Sequence, residues 1–109
     1  MTAVGLRRLC LAQSGAAEEF PFGPETSAFK VGGKIFALAA LKRKPLQVSV
    51  KCEPGLGEQL RGTYEGIEPG YHLNKRHWLT ITGGGDAPDE LVRELVGGSY
   101  DLVADAMRR

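Results

Sequence analysis

Cysteine is scarce in this chain, and long apolar runs are missing. Two cysteines in 109 residues, Cys10 and Cys52, are too few for a disulfide framework or a four-thiol zinc site, and both read as small buried hydrophobes. The longest apolar runs, such as Ile35 to Leu41, fall well short of the about 18 residues that a membrane span requires. Arg7 and Arg8 interrupt the N-terminal stretch, so a cytoplasmic protein without signal peptide or anchor is expected. An excess of one charge is missing as well. The 14 Lys and Arg against 13 Asp and Glu leave a net charge of +1, which excludes a uniformly basic coat and an acidic tail. What remains, 42% hydrophobic and 25% charged residues, is the balance of one ordinary globular domain long enough to bury a core.

Leu6, Leu9, Cys10 and Gln13 share one helical stripe and Ser14-Gly15 supplies a stop, so residues 2 to 14 read as a first helix. The prolines and glycine of Glu18 to Thr26 predict an extended loop that tucks Phe20 and Phe22 against the core. Gly32-Gly33 between two apolar runs, Ser27 to Val31 and Lys34 to Leu41, is the signature of a two-residue hairpin. In simple register Val31 faces Lys34 and Phe29 faces Phe36. Val31, Phe29, Phe36 and Leu38 then share the core face, opposite Ala28, Lys30, Ile35 and Ala37. A third strand alternates Leu46, Val48 and Val50 inward with Gln47, Ser49 and Lys51 outward.

Pro54 opens a second helix with the stripe Leu56, Leu60 and Tyr64. Tyr71 to Lys75 and His77 to Thr82 read as two further strands, the latter with Leu79 and Ile81 inward and Trp78, Thr80 and Thr82 outward. Asp86 or Ala87 caps a third helix, with Pro88 in its first turn, Arg108 and Arg109 at its negative end, and a bend expected at Gly97-Gly98. The fold predicted over residues 1–109 is a single two-layer α+β domain, ordered helix, three strands, helix, two strands, helix. Its mostly antiparallel five-stranded sheet is covered by helices on one face.

Five blocks, FPFGPET (20–26), FKVGGK (29–34), KCEPGL (51–56), PGYHLNKRHW (69–78) and SYDLV (99–103), resemble the MmcQ/YjbR family in content and order across nearly the whole chain. The resemblance implies an α+β fold similar to frataxin-type and secretion-chaperone-type domains in small bacterial cytoplasmic proteins predicted to bind DNA. It carries over no active-site residue. Gly97-Gly98 stand where the family usually has a polar pair.

The near-neutral total hides segregation. Residues 34–51 hold Lys34, Lys42, Arg43, Lys44 and Lys51 without an acid, and residues 71–85 hold Lys75 and Arg76 without one, whereas the two later helices carry most of the acids. A basic sheet surface with Trp78 as a stacking ring suits a nucleic-acid backbone and base. The same cations also read as guards against edge-to-edge strand pairing. In the block Asn74 to Trp78, Asn74 and His77 fit a tight turn.

Enzyme chemistry finds little purchase. His72 and His77 have no companion ligand motif, Ser49 and Ser99 lack a nucleophile signature, and Gly33-Lys34 is followed by Ile35, so no phosphate loop forms. No enzyme, cofactor or resident metal is expected. The leading reading is a non-enzymatic binding protein using Lys34, Lys42, Arg43, Lys44, Lys51, Lys75, Arg76 and Trp78 to hold DNA or another nucleic acid with little sequence preference. A second is a protein-interaction or chaperone-like module whose open sheet face docks a partner or a second copy, in a monomer or weak homodimer. A third, through the pairs Glu90/Glu94 and Asp101/Asp105, is a metal-handling domain.

Overall fold

The computed structural model describes residues 1–70 and 73–107. In chain order its elements are α1 (Ala3–Leu11), β1 (Ala17–Glu19), β2 (Ser27–Val31), β3 (Lys34–Ala39), β4 (Gln47–Lys51), α2 (Pro54–Thr63), β5 (Ile67–Pro69), β6 (Trp78–Thr82) and α3 (Asp89–Met107). The strands form one sheet in the order β1-β2-β3-β4-β6-β5, with every neighbour antiparallel. The α+β class stands, and the sheet has six strands where five were expected.

Both edge strands were missed because their sequences are poor in strand formers. β1 reads Ala-Glu-Glu and is held by ties between side chains: Ser27 Oγ donates to Glu18 at 2.8 Å, and Lys30 reaches Glu19 at 3.3 Å. β5 ends on Pro69, a residue that cannot donate to a ladder and is tolerated at an edge. The strand expected at Tyr71 to Lys75 is absent from its described part, where Leu73 to His77 form a bend and turn; Tyr71 and His72 lie outside the described residues. Phe20 and Phe22 do not tuck inward either. They are 51% and 64% exposed, set just beyond β1 in a segment whose prolines keep it off the sheet.

Gly32 and Gly33 take φ of +57° and +79°, values that a side chain would strain, and they close the hairpin as expected with Val31 opposite Lys34. The simple register then fails within two residues. A bulge follows the Lys30–Ile35 pair, so Phe29 faces Ala37 and Phe36 is the extra residue. Phe36 and Ala37 are consequently both fully buried on the core side, and Leu38, expected there, turns to the opposite face beside Ser49. The error in register is a one-residue insertion that periodicity alone does not reveal.

α3 packs across β2, β3 and β4, α1 packs on α3, and α2 lies against β5. Leu6, Cys10, Phe29, Phe36, Val50, Leu79, Ile81 and Val96 form the centre of the core. α3 continues through Gly97 and Gly98 as a single 19-residue helix. Asp86 does not spend its carboxylate on that helix: it accepts the amides of Glu65 and Gly66, both at 2.8 Å, and so staples the turn from α2 into β5. Arg108 and Arg109 lie outside the described residues.

Candidate functional site

β4 and β6 bury Val48, Val50, Leu79 and Ile81 in the core, and alternation sends their intervening residues to the second face of the sheet. Gln47 pairs with Thr82, Ser49 with Thr80 and Lys51 with Trp78 across the strands. The hydroxyls of Ser49 and Thr80 are 2.9 Å apart and hydrogen-bonded, and Gln47 Nε2 donates to Thr82 Oγ1 at 3.4 Å. The parity expected for Trp78 therefore holds, and its ring is half-buried beside Lys51 at the start of β6.

The cations do not spread evenly over this face. Lys51 and Trp78 join Lys34, which pairs with core-side Val31, and the α3 residues Val103, Ala106 and Met107 around a hollow of about 630 Å³ at one margin of the sheet, where α3 ends. Lys75 belongs to the same end: its ammonium donates to Gly70 O at 3.2 Å, and the Gly70 amide donates to Trp78 O at 2.8 Å. Arg76 follows in the same turn, its backbone amide held by Asn74 Oδ1 at 3.0 Å in the turn geometry expected of Asn74. Lys42, Arg43 and Lys44 stand exposed at the far end of β3, about 17 Å away along a strand of this length. There Arg43 helps line a depression of about 500 Å³ with Phe22, Leu38, Ser49, Leu73 and Thr80. The predicted site is thus brought together as two basic ends with a neutral centre. Phe22, Leu38 and Leu73 were missed, Leu38 because the bulge reversed its face and the other two because loops have no parity to read.

Ion pairs among the described residues, Met1 with Asp89, Arg7 with Glu18 and Lys30 with Glu19, take in none of these seven cations. Gly70 sets the approach of Trp78: a Cβ there would fall 2.6 Å from Trp78 Cβ, so only glycine fits beside it. His77 is tied through its backbone, its amide to Asn74 O and its carbonyl to the Cys52 amide, in keeping with a structural place. Among the described residues no three His, Cys, Asp or Glu side chains converge as a metal ion needs, and no helix is long and apolar enough to cross a membrane.

An antiparallel α+β chain with a polar, cation-flanked second sheet face is the class that the geometry defines. The profile of the YjbR family matches residues 11–102, and the chain belongs to that family. It is 38% identical over 90 residues to the uncharacterized protein YbdF of Escherichia coli O157:H7, covering 83% of this chain and 74% of that one. It is 34% identical over 107 residues to the uncharacterized protein YjbR of Escherichia coli K12, covering 98% and 91%. A crystal structure of a Deinococcus radiodurans protein with a DUF419 domain superposes with a TM-score of 0.89 at 44% identity, covering 94% of this chain and 78% of that one. A Pseudomonas syringae crystal structure, at 24% identity, shares the fold with a TM-score of 0.81 over 94% and 99% of the two chains.

Proposed function

We propose that this protein binds nucleic acid across the second face of its sheet. The observation that carries the reading is the pair of basic ends, Lys42-Arg43-Lys44 and Lys34, Lys51, Lys75, Arg76, on either side of a neutral hydroxyl-lined floor, with no ion pair among the described residues drawing on them. A single strand laid along β3 and β4 meets phosphate donors at both ends, while Trp78 at one end and Phe22 at the other offer rings for stacking. Ser49 and Thr80 hydrogen-bond to each other, which leaves little directed donor capacity to read base edges, so weak sequence preference follows. Binding without catalysis suits Ser99, which is fully buried and doubly hydrogen-bonded, and Cys10, whose thiol is pushed up to about 12 by burial and the nearby Glu18 charge.

The test is a titration of a fluorescein-labelled random oligonucleotide, single-stranded and duplex, over a salt series. Affinity in the range of about 10⁻⁴ to 10⁻⁶ M near physiological salt is expected, falling steeply as salt rises. Replacing Lys42, Arg43 and Lys44 with Ala weakens binding and flattens the salt slope. Unchanged affinity at low salt in that triple variant would refute the assignment of the basic turn. Exposed Phe20 and Phe22 beside the same face favour a second reading, docking of a protein or a second copy. Concentration-dependent self-association without oligonucleotide binding selects it.

A further inference from the structure

A groove of about 350 Å³ separates α2 from α3 on the helical side of the molecule, and Lys51 at its margin also lines the hollow beside Trp78. Leu56, Leu60, Leu91, Leu95 and Leu102 give it apolar walls, and Leu56, in the first turn of α2, is 47% exposed. Its lining is acidic: Glu53, the N-cap residue of α2, and Glu94 and Asp101 of α3 all belong to it, and Lys51 is the one cation among the described lining residues.

Gly98 lies midway along the α3 wall. Glycine in a helix interior costs about 1 kcal/mol relative to alanine, and here neither packing nor backbone requires it. A Cβ at Gly98 meets nothing within 4 Å, and its φ is helical. What the missing side chain does is leave the groove open at its centre. From Leu91 to Leu102 the α3 wall runs about 17 Å at 1.5 Å per residue, an elongated channel in place of a closed pocket.

We propose that this groove docks a basic amphipathic helix of a partner protein. Leucine-like anchors spaced three or four residues apart would enter between the leucine walls at Gly98, with lysines or arginines of the occupant set against Glu53, Glu94 and Asp101. The acidic rim rejects nucleic acid and anionic lipid, and the length of the channel favours a helix over a compact ligand. Lys51 apart, this surface shares no residue with the nucleic-acid reading.

The probe is a fluorescein-labelled 18-residue Leu/Lys peptide with its leucines on one helical face, compared by anisotropy with a peptide of the same composition in which the leucines are scattered. The amphipathic peptide is expected to bind at least tenfold more tightly than the scattered one. Gly98→Leu fills the groove while improving helix propensity, so it folds and lowers that affinity at least tenfold. Gly97→Ala, one residue away but outside the groove lining, leaves binding unchanged. The Lys42, Arg43 and Lys44 to Ala variant also binds the peptide as the parent does, which separates this test from that of the sheet face. Equal binding of the two peptides, or undiminished binding by Gly98→Leu, overturns the proposal. So does a self-association that Gly98→Leu abolishes, because it gives the groove to a second copy.

Discussion

Ser99 shows how one small side chain holds two layers in register. The β-bulge leaves Phe36 outside the paired positions of β3, and its carbonyl accepts a hydrogen bond from Ser99 Oγ at 2.6 Å. The same oxygen accepts the Lys51 amide from β4 at 2.8 Å, so a fully buried residue of α3 satisfies one acceptor and one donor on two adjacent strands. Ser99→Ala strands both groups, each at a cost of about 1–3 kcal/mol when buried, and gains only a little helix propensity in return. A loss of about 2–3 kcal/mol in urea unfolding at pH 7 is expected. A change within about 0.5 kcal/mol, the size of an ordinary surface substitution, would show that water replaces the hydroxyl. Nothing in the sequence pointed to this role, because the serine lies inside a helix and its partners are 48 and 63 residues away.

At the scale of elements, legibility followed local chemistry. The Gly32-Gly33 turn, the alternation of β4 and β6, the proline that opens α2 and the parity of Trp78 were all readable, since each rests on backbone geometry or period within a few residues. The bulge, the two edge strands and the grouping of cations into two ends depend on pairing between distant segments. Asp86 belongs with these: it looked like a helix cap and instead accepts the Gly66 and Glu65 amides, which hold its carboxyl below the usual value of 3.8. A carboxyl with a depressed folded pKa favours the folded state while ionised. Its contribution is complete above the ordinary value and is lost as pH falls through the lowered one. Asp86→Asn therefore destabilises the protein at pH 7, and the gap between variant and parent narrows below about pH 4. Urea midpoints measured from pH 7 to pH 2 check it, and a gap independent of pH would mean that the charge contributes nothing.

For the whole molecule, a net charge of +1 is a poor guide to what an approaching surface meets. The described chain measures 32 × 32 × 25 Å, several times the Debye length of about 8–10 Å at ordinary ionic strength, so its opposite sides are felt separately. One side presents the two basic ends of the sheet. The other presents α3 with exposed Asp89, Glu90, Glu94 and Asp101. A protein of uniform charge near neutrality passes through both cation- and anion-exchange matrices, whereas this one is expected to be retained on each at pH 7 and low salt. Replacing Lys42, Arg43 and Lys44 with Ala takes the net charge from +1 to −2 by removing three cations from one end. If retention is set by patches, the triple variant elutes earlier from the cation exchanger, still held by Lys34, Lys51, Lys75 and Arg76, while the anion-exchange elution moves much less. If retention is set by net charge, the variant is lost from the first matrix and shifts strongly on the second, and the separation of charge between the two sides then has no consequence for what the protein meets in solution.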